Sequence, residues 1–204
     1  LGSSTLSYLT KRRALLLGVL GIPSAVAAAQ GGPSKIADRW WRIRSTSALA
    51  KEAASRDAIR NCLYLYARGI DRRDEEILRA VFWPDAKIEV NDADIPVEEF
   101  VQGTMASLRT DWDRVMHFLT NILIQVEGLS AAVETYNYAY HCANKDGKKR
   151  DVVIAGRYLD RFESRGDEWR IAKRSVVVDW FRDYPDSGDM AEGPFGMKFQ
   201  GGRN

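Results

Sequence analysis

The chain has 204 residues, of which 45% are hydrophobic and 28% charged, and a formal net charge of +2. This suits one sizeable soluble domain and leaves too little chain for two. Cys62 and Cys142 are too widely separated for a disulfide framework or a Cys-x-x-Cys site; they read as small buried hydrophobes or as one isolated disulfide.

Residues 10–30, "TKRRALLLGVLGIPSAVAAAQ", place Lys11, Arg12 and Arg13 before a short apolar run. Pro23 breaks the run, and small residues follow in an A-x-A pattern. That order predicts an export signal over residues 1–29, and Arg12-Arg13 before Ala14 resembles the twin-arginine type. The apolar run is about half the ~20 residues that span a bilayer, so no stable membrane anchor is expected. The other reading is an amphipathic helix. Cleavage would remove three cations and take the charge from +2 to −1, which argues against a nucleic-acid surface. With the signal the expected place is outside the cytoplasm, periplasmic or extracellular; on the other reading it is cytoplasmic.

Residues 30–47 read as a linker or an N-terminal extension, with "QGGPSK" at its start. A long helix is predicted from Ala48 to Ile70. Its apolar positions Ile59, Leu63, Tyr66 and Ile70 fall on one stripe. A second helix is predicted over 74–81 with Asp74 as N-cap. "WPDAKIEV" reads as a turn and a short strand. Residues 96–112 read as a helix entered through Pro96. From Val115 the rhythm becomes that of four strands, with polar turns at "NKDGKK" and "GD". Helices first and a long antiparallel meander after them predict the α+β class, with helices on one face of a curved sheet. After Phe181 the chain, rich in Gly, Pro and Asp, reads as a tail; residues 184–204 either lack order or cover a pocket.

"VMHFLTN" at 115–121 sets a histidine and an asparagine into an apolar strand. Alternation makes Met116, Phe118, Ile122, Ile124 and Val126 the core face. It leaves His117, Leu119, Asn121, Leu123 and Gln125 on a mixed face of the kind that lines a ligand pocket. His141 shares a face with Asn137 and Ala139 on the next strand. Arg174 lies on a fourth-strand face with Val176, Val178 and Trp180, where it needs an anionic or carbonyl partner such as Glu163 or Asp179. Asp71 ends the long helix, where the helix dipole disfavours a carboxylate. It caps the next helix, pairs with Arg68, Arg72 or Arg73, or bonds His117; spacing alone leaves these open. Two distant histidines give no metal-site pattern, and there is no phosphate-cradling glycine loop or serine nucleophile elbow.

The helix ending in "Y-x-x-x-x-D-x-x-D", the "H-x-x-x-N" strand and "GRYLDRFESRGDEWRIAKR" (156–174) together resemble the SnoaL-like branch of the nuclear transport factor 2-like superfamily. The likeness covers roughly residues 50–183, within a domain drawn at 48–183. It is strongest toward the dehydratases and dehydrochlorinases of that branch, of the scytalone, bile-acid 7α and hexachlorocyclohexane types. The resemblance implies a cone-shaped, curved antiparallel sheet with helices closing a central pocket, an α+β barrel. It implies a cofactor-independent lyase with no metal, while the aromatic and apolar composition of Tyr66, Phe82, Trp83, Trp112, Leu119 and Trp180 suggests a small apolar, cyclic or aromatic compound as substrate. Asp71 and His117 match a general-base pair, Tyr66 a position that holds tyrosine or lysine, and Arg174 a pocket arginine; the last two are suited to stabilise negative charge, and His141 lies near a second histidine. Substrate-contacting positions are expected at His141, Asn121, Trp83, Leu119 and Trp180, with Phe82 and Trp112 nearby. A binding or assembly domain, or an isomerase or cyclase, is the alternative. A homodimer or homotrimer is expected through the outer sheet face, where Tyr136, Tyr138 and Tyr140 share one side.

Overall fold

The computed structural model describes residues 45–90, 93–145 and 148–185. The predicted export signal and the tail from residue 186 onward lie outside the described residues.

Helix α1 (Thr46–Asp71) buries Ile59, Cys62, Leu63, Tyr66 and Ile70 along the predicted stripe. At about 1.5 Å per residue its 26 residues extend about 39 Å. The chain turns back through Arg73, whose φ of 56° is left-handed. Asp74 then caps α2 (Glu75–Ala80), its Oδ1 accepting from the Ile77 N–H at 3.0 Å. A β-carbon at position 69 would stand 2.9 Å from the Leu78 nitrogen. Glycine there lets α2 pack onto the end of α1, which fixes where Asp71 sits. Helix α3 (Val97–Thr110) starts at Pro96 and buries Val97, Val101, Met105 and Leu108.

Six strands form one curved sheet in the order β2-β1-β6-β5-β4-β3. β3 (Arg114–Glu127), β4 (Ser130–Lys145), β5 (Lys148–Arg165) and β6 (Glu168–Pro185) make the antiparallel meander. β1 (Phe82–Val90) joins β6 in parallel, and β2 (Ala93–Pro96) pairs antiparallel with β1. The sequence did not suggest these last two pairings: four residues show no alternation, and a parallel partner is remote in the chain. β6 also continues past Phe181 to Pro185, with Asp183 opposite Val152, so the irregular tail begins later than expected. Both cysteines are free and buried. No helix among the described residues is long and apolar enough to cross a membrane.

Two bulges set which side chains face the helices. In β3 the register with β4 slips between Thr120 and Leu123, around Asn121 at φ 48°. An extra residue inverts the parity of everything beyond it. Ile122, Ile124 and Val126 therefore pack inward as expected. Met116 and Phe118, expected in the core with them, instead stand on the convex face at 50% and 49% exposure. The second bulge lies between β5 and β6, where Val178 pairs with Gly156 but Trp180 with Ala155. A β-carbon at position 156 would collide with the Val177 carbonyl oxygen, so this bulge needs glycine.

Candidate active site

Asp71 is the last residue of α1, and His117 faces it from β3. Asp71 Oδ1 lies 2.7 Å from His117 Nδ1, and Asp71 Oδ2 accepts from the His117 backbone N–H at 3.1 Å. These two bonds offset the unfavourable end of the helix dipole. Two of the other roles open to Asp71 fall differently. Asp74 makes the cap, and Arg73 donates to the carbonyls of Trp112 and Asp113. With Nδ1 donating to a carboxylate, the tautomer assigned to neutral His117 carries its lone pair on Nε2. Nε2 has no hydrogen-bond partner among the described residues, although the side chain is only 7% exposed.

His141 joins this group. Its ring centroid lies 5.7 Å from that of His117 and 4.8 Å from that of Trp112. Burial, then the nearby His117, lowers its pKa to about 4. His141 is therefore neutral at pH 7.

Deeper in the concave face, Arg174 is fully buried and binds Asp160 through Nε and Nη2, each at 2.7 Å. The sequence had offered Glu163 or Asp179 as its acid. Glu163 belongs instead to Arg161 and Arg165, and Asp179 to Arg157. The guanidinium lies 3.9 Å from the centroid of the Tyr66 ring and 4.1 Å from that of Tyr158. Tyr66 is itself buried edge-to-face against Phe82 and Tyr158. Burial opposes the charge on Arg174, but the Asp160 carboxylate outweighs it and holds the guanidinium protonated. Arg174 and Tyr66 thus form a neutralised, packed polar core beneath the Asp71–His117 pair, and one guanidinium nitrogen, Nη1, remains unpaired.

Thr135 Oγ1, Asn137 Oδ1 and His141 Nδ1 are also buried without partners among the described residues. A buried polar atom left unpaired costs about 1–3 kcal/mol. All three lie on the concave face of β4, where Asn137 is paired with Leu119 and Ala139 with His117. Leu119, half-buried, is therefore a neighbour of the histidine, as the alternation predicted.

Three expected contacts are misplaced. Asn121 is exposed and serves the β3 bulge; its left-handed φ is one that asparagine tolerates better than most residues. Trp180 lies beyond the β6 bulge on the convex face, 43% exposed and 6.1 Å from the Tyr138 ring. Trp83 donates to the Glu163 carbonyl and lies between the guanidinium groups of Arg165 and Arg170. The Glu163 end of β5 is nine residues, on the order of 30 Å along the strand, from Ile154 in the His117 row. Conversely, the sequence reading passed over Asp160 and Thr135. Asp160 shares the parity of buried Tyr158 and Phe162, and an acid at such a position was the available signal.

A separate cleft of about 430 Å³ lies among Glu76, Arg79, Phe82, Val97, Glu98 and Arg170. Arg79 there is already paired with Glu75 and Glu98, and none of the Asp71–His117 group lines it.

Solved structures of similar fold include a protein described as a candidate scytalone dehydratase from Novosphingobium aromaticivorans. It is 20% identical with a TM-score of 0.60, over 74% of this chain and 99% of that one. The hexachlorocyclohexane dehydrochlorinase LinA-type3 of Novosphingobium barchaimii is 20% identical with a TM-score of 0.55, over 73% and 96%. A type 2 LinA is 19% identical with a TM-score of 0.57, over 71% and 97%. At these identities the likeness is one of fold. No curated protein sequence matches significantly. The SnoaL-like domain model matches residues 51–175, a span that takes in α1 from Lys51 onward, the whole of β3, β4 and β5, and β6 as far as Ser175, and so the chain belongs to the SnoaL-like domain family.

Proposed function

We propose that the protein is a cofactor-independent lyase that removes a proton and a leaving group from a small, largely apolar cyclic compound. The observation that carries this is the bond from Asp71 Oδ1 to His117 Nδ1 at 2.7 Å, which directs the Nε2 lone pair away from the carboxylate. His117 takes a proton from carbon, the C–H electron pair becomes the new double bond, and the leaving group departs with its own pair. Asp71 holds the tautomer and stabilises the imidazolium that forms. General-base catalysis supplies about 10²–10⁴-fold of rate. The fold relatives named as a dehydratase and as dehydrochlorinases make water and chloride the leaving groups to try first. The test is to follow alkene absorbance and halide release from hydroxylated and chlorinated rings with wild type and His117→Gln. Equal turnover by the two proteins would overturn the assignment.

An isomerase that returns the proton to another carbon is favoured by one observation. Arg174 is already neutralised by Asp160, so it brings no net charge to a departing anion. Product analysis separates the two, since an isomerase releases neither water nor halide. We also propose export through the N-terminal twin-arginine pattern, tested by fractionating cells that express the Arg12→Lys, Arg13→Lys variant. A homodimer or homotrimer through the convex face, where Phe118, Tyr138 and Trp180 meet edge-to-face, is tested by sedimentation of Trp180→Glu.

A further inference from the structure

The end of α1 sets an unusual demand on Arg73. The Asp74 N–H donates to the Gly69 carbonyl at 2.8 Å, and the Arg73 N–H to the Ile70 carbonyl at 3.0 Å. This nested pair of bonds closes a helix through one left-handed residue, most often glycine and sometimes asparagine. Here that residue is arginine, at φ 56°. The other left-handed non-glycine positions among the described residues are Asn121 and Asp167, whose short polar side chains suit such backbone. Arginine has no local compensation of that kind, and its hydrogen bonds are remote. Nη2 donates to the Trp112 carbonyl at 2.7 Å and to the Asp113 carbonyl at 3.0 Å, 39 and 40 residues along the chain. Those carbonyls lie in the short connection, 111–113, between α3 and β3. Asp113 is also tied to β4, its N–H donating to the Cys142 carbonyl at 2.8 Å. Trp112 packs its ring 4.8 Å from that of His141, which in turn lies 5.7 Å from that of His117. The same two segments are joined again by Asp71 and His117, about 13 Å further along β3.

Resting on the lyase reading above, we infer that Arg73 is a positioning residue of the active site: from its left-handed turn it clamps the 111–113 connection, holds the Trp112 ring against His141 and keeps the start of β3 in place relative to Asp71. Hydrogen bonds from a charged donor are stronger than neutral ones. This donor is anchored two residues from the Asp71 carboxylate, so displacement of the connection and displacement of Asp71 are coupled. Without the clamp the Trp112 ring loosens, water reaches His141, and the Asp71–His117 pair loses the second tie between its two segments. A shift of about 1 Å at a reacting group can cost on the order of 10²-fold in rate. Glycine at position 73 would suit the turn and delete the clamp, so it separates the backbone role from the side-chain role.

The test uses the full chain, labelled with ¹⁵N histidine, and the variants Arg73→Gly, Arg73→Lys and Trp112→Leu. Around His141 the titratable and charged groups are His117 on β3, Asp71 on α1 and, beyond Val152 in its row, Asp183 with its partner Arg150; the variants alter none of them. Burial holds wild-type His141 at a pKa of about 4. Arg73→Gly should leave Tm within a few degrees, because the turn relaxes as the two bonds are lost. It should raise the His141 pKa to about 5 or higher, as should Trp112→Leu, because both admit water to the ring. Arg73→Lys keeps a cationic donor and should stay close to wild type. With hydroxylated and chlorinated rings, Arg73→Gly should lower kcat/KM about tenfold or more, mainly through kcat, and Arg73→Lys should recover most of the loss. An unchanged His141 titration in Arg73→Gly would overturn the inference, and so would an altered titration with unchanged kcat/KM. An Arg73→Gly chain that does not fold, beside a folded Trp112→Leu, would make Arg73 a general stability element and overturn it too. If wild type turns over none of these compounds while His141 responds as expected, the clamp stands and the lyase reading fails.

Discussion

Replacing Asp71 with asparagine keeps the size of the side chain and removes one acceptor. In the wild type both carboxylate oxygens accept, one from Nδ1 of His117 at 2.7 Å and one from its backbone N–H at 3.1 Å. An amide has one oxygen and one NH₂ group. If the amide oxygen keeps the ring bond, its NH₂ meets the backbone N–H donor to donor. If the oxygen turns to the backbone, NH₂ faces Nδ1, and the ring must move its proton to Nε2. The second arrangement satisfies both groups and prevails, but it is the tautomer that cannot accept a proton from carbon. The expected loss is thus the whole general-base contribution, about 10²–10⁴ in kcat/KM. Exchanging charge-assisted bonds for neutral ones should cost about 1 kcal/mol in stability, since each group keeps a hydrogen-bond partner. The chain has only two histidines, so ¹⁵N labelling of histidine gives four ring-nitrogen signals, and the tautomer of each ring can be read directly. The expected result is an unprotonated Nε2 on His117 in the wild type and a protonated one in Asp71→Asn. The same tautomer in both proteins would refute the orienting role of Asp71. An unchanged kcat/KM would refute the base assignment itself.

Arg174→Met should cost about 3–5 kcal/mol in urea unfolding, because it strands the Asp160 carboxyl in the core; adding Asp160→Leu should recover most of that loss. His141 should make stability depend on pH. Its pKa falls from 6.5 in the unfolded chain to about 4 in the fold, so between these values the unfolded state binds the extra proton. Stability from this group is therefore complete above about pH 6.5 and declines as pH falls toward 4, by up to about 3 kcal/mol. His141→Phe should flatten that part of a Tm–pH curve. Trp83→Phe loses the bond to the Glu163 carbonyl and weakens contact with two guanidinium groups. It should lower Tm by a few degrees and leave kcat/KM within about twofold; a large loss of activity would place Trp83 in the site after all.

Much of what the sequence concealed about side-chain facing has one physical origin. Helix α1 was legible because its stripe repeats over many turns, and Asp74 because a cap has local chemistry. The strands were legible because alternation is a period of two. That same period is fragile: one inserted residue inverts the face of everything beyond it, and neither bulge changes the look of the pattern. Residues 122–126 were placed correctly and Met116 and Phe118 incorrectly within a single alternation, because Asn121 lies between them. Trp180 was assigned to the pocket by counting from Arg174 in steps of two, and the extra residue opposite Gly156 carried it to the other face. The bulge signals were present as an asparagine and a glycine, residues suited to left-handed or crowded backbone, but the first read as a ligand contact and the second as part of a motif. The concave face owes its chemistry to those two irregularities. Without the first, His117 and the inward-facing Ile124 could not share one side of β3. Without the second, Val178 opposite Gly156 and Phe181 opposite Ile154 could not share one face of β6. The unpaired atoms of Thr135 and Asn137 are legible only after both corrections, since they depend on which side of β4 the helix covers. A candidate site in a bulged sheet is therefore found by locating the bulges first and reading polar residues afterward; Thr135→Val and Asn137→Leu, which each remove an unpaired buried atom, should raise Tm if that order holds, and a fall in both would refute it.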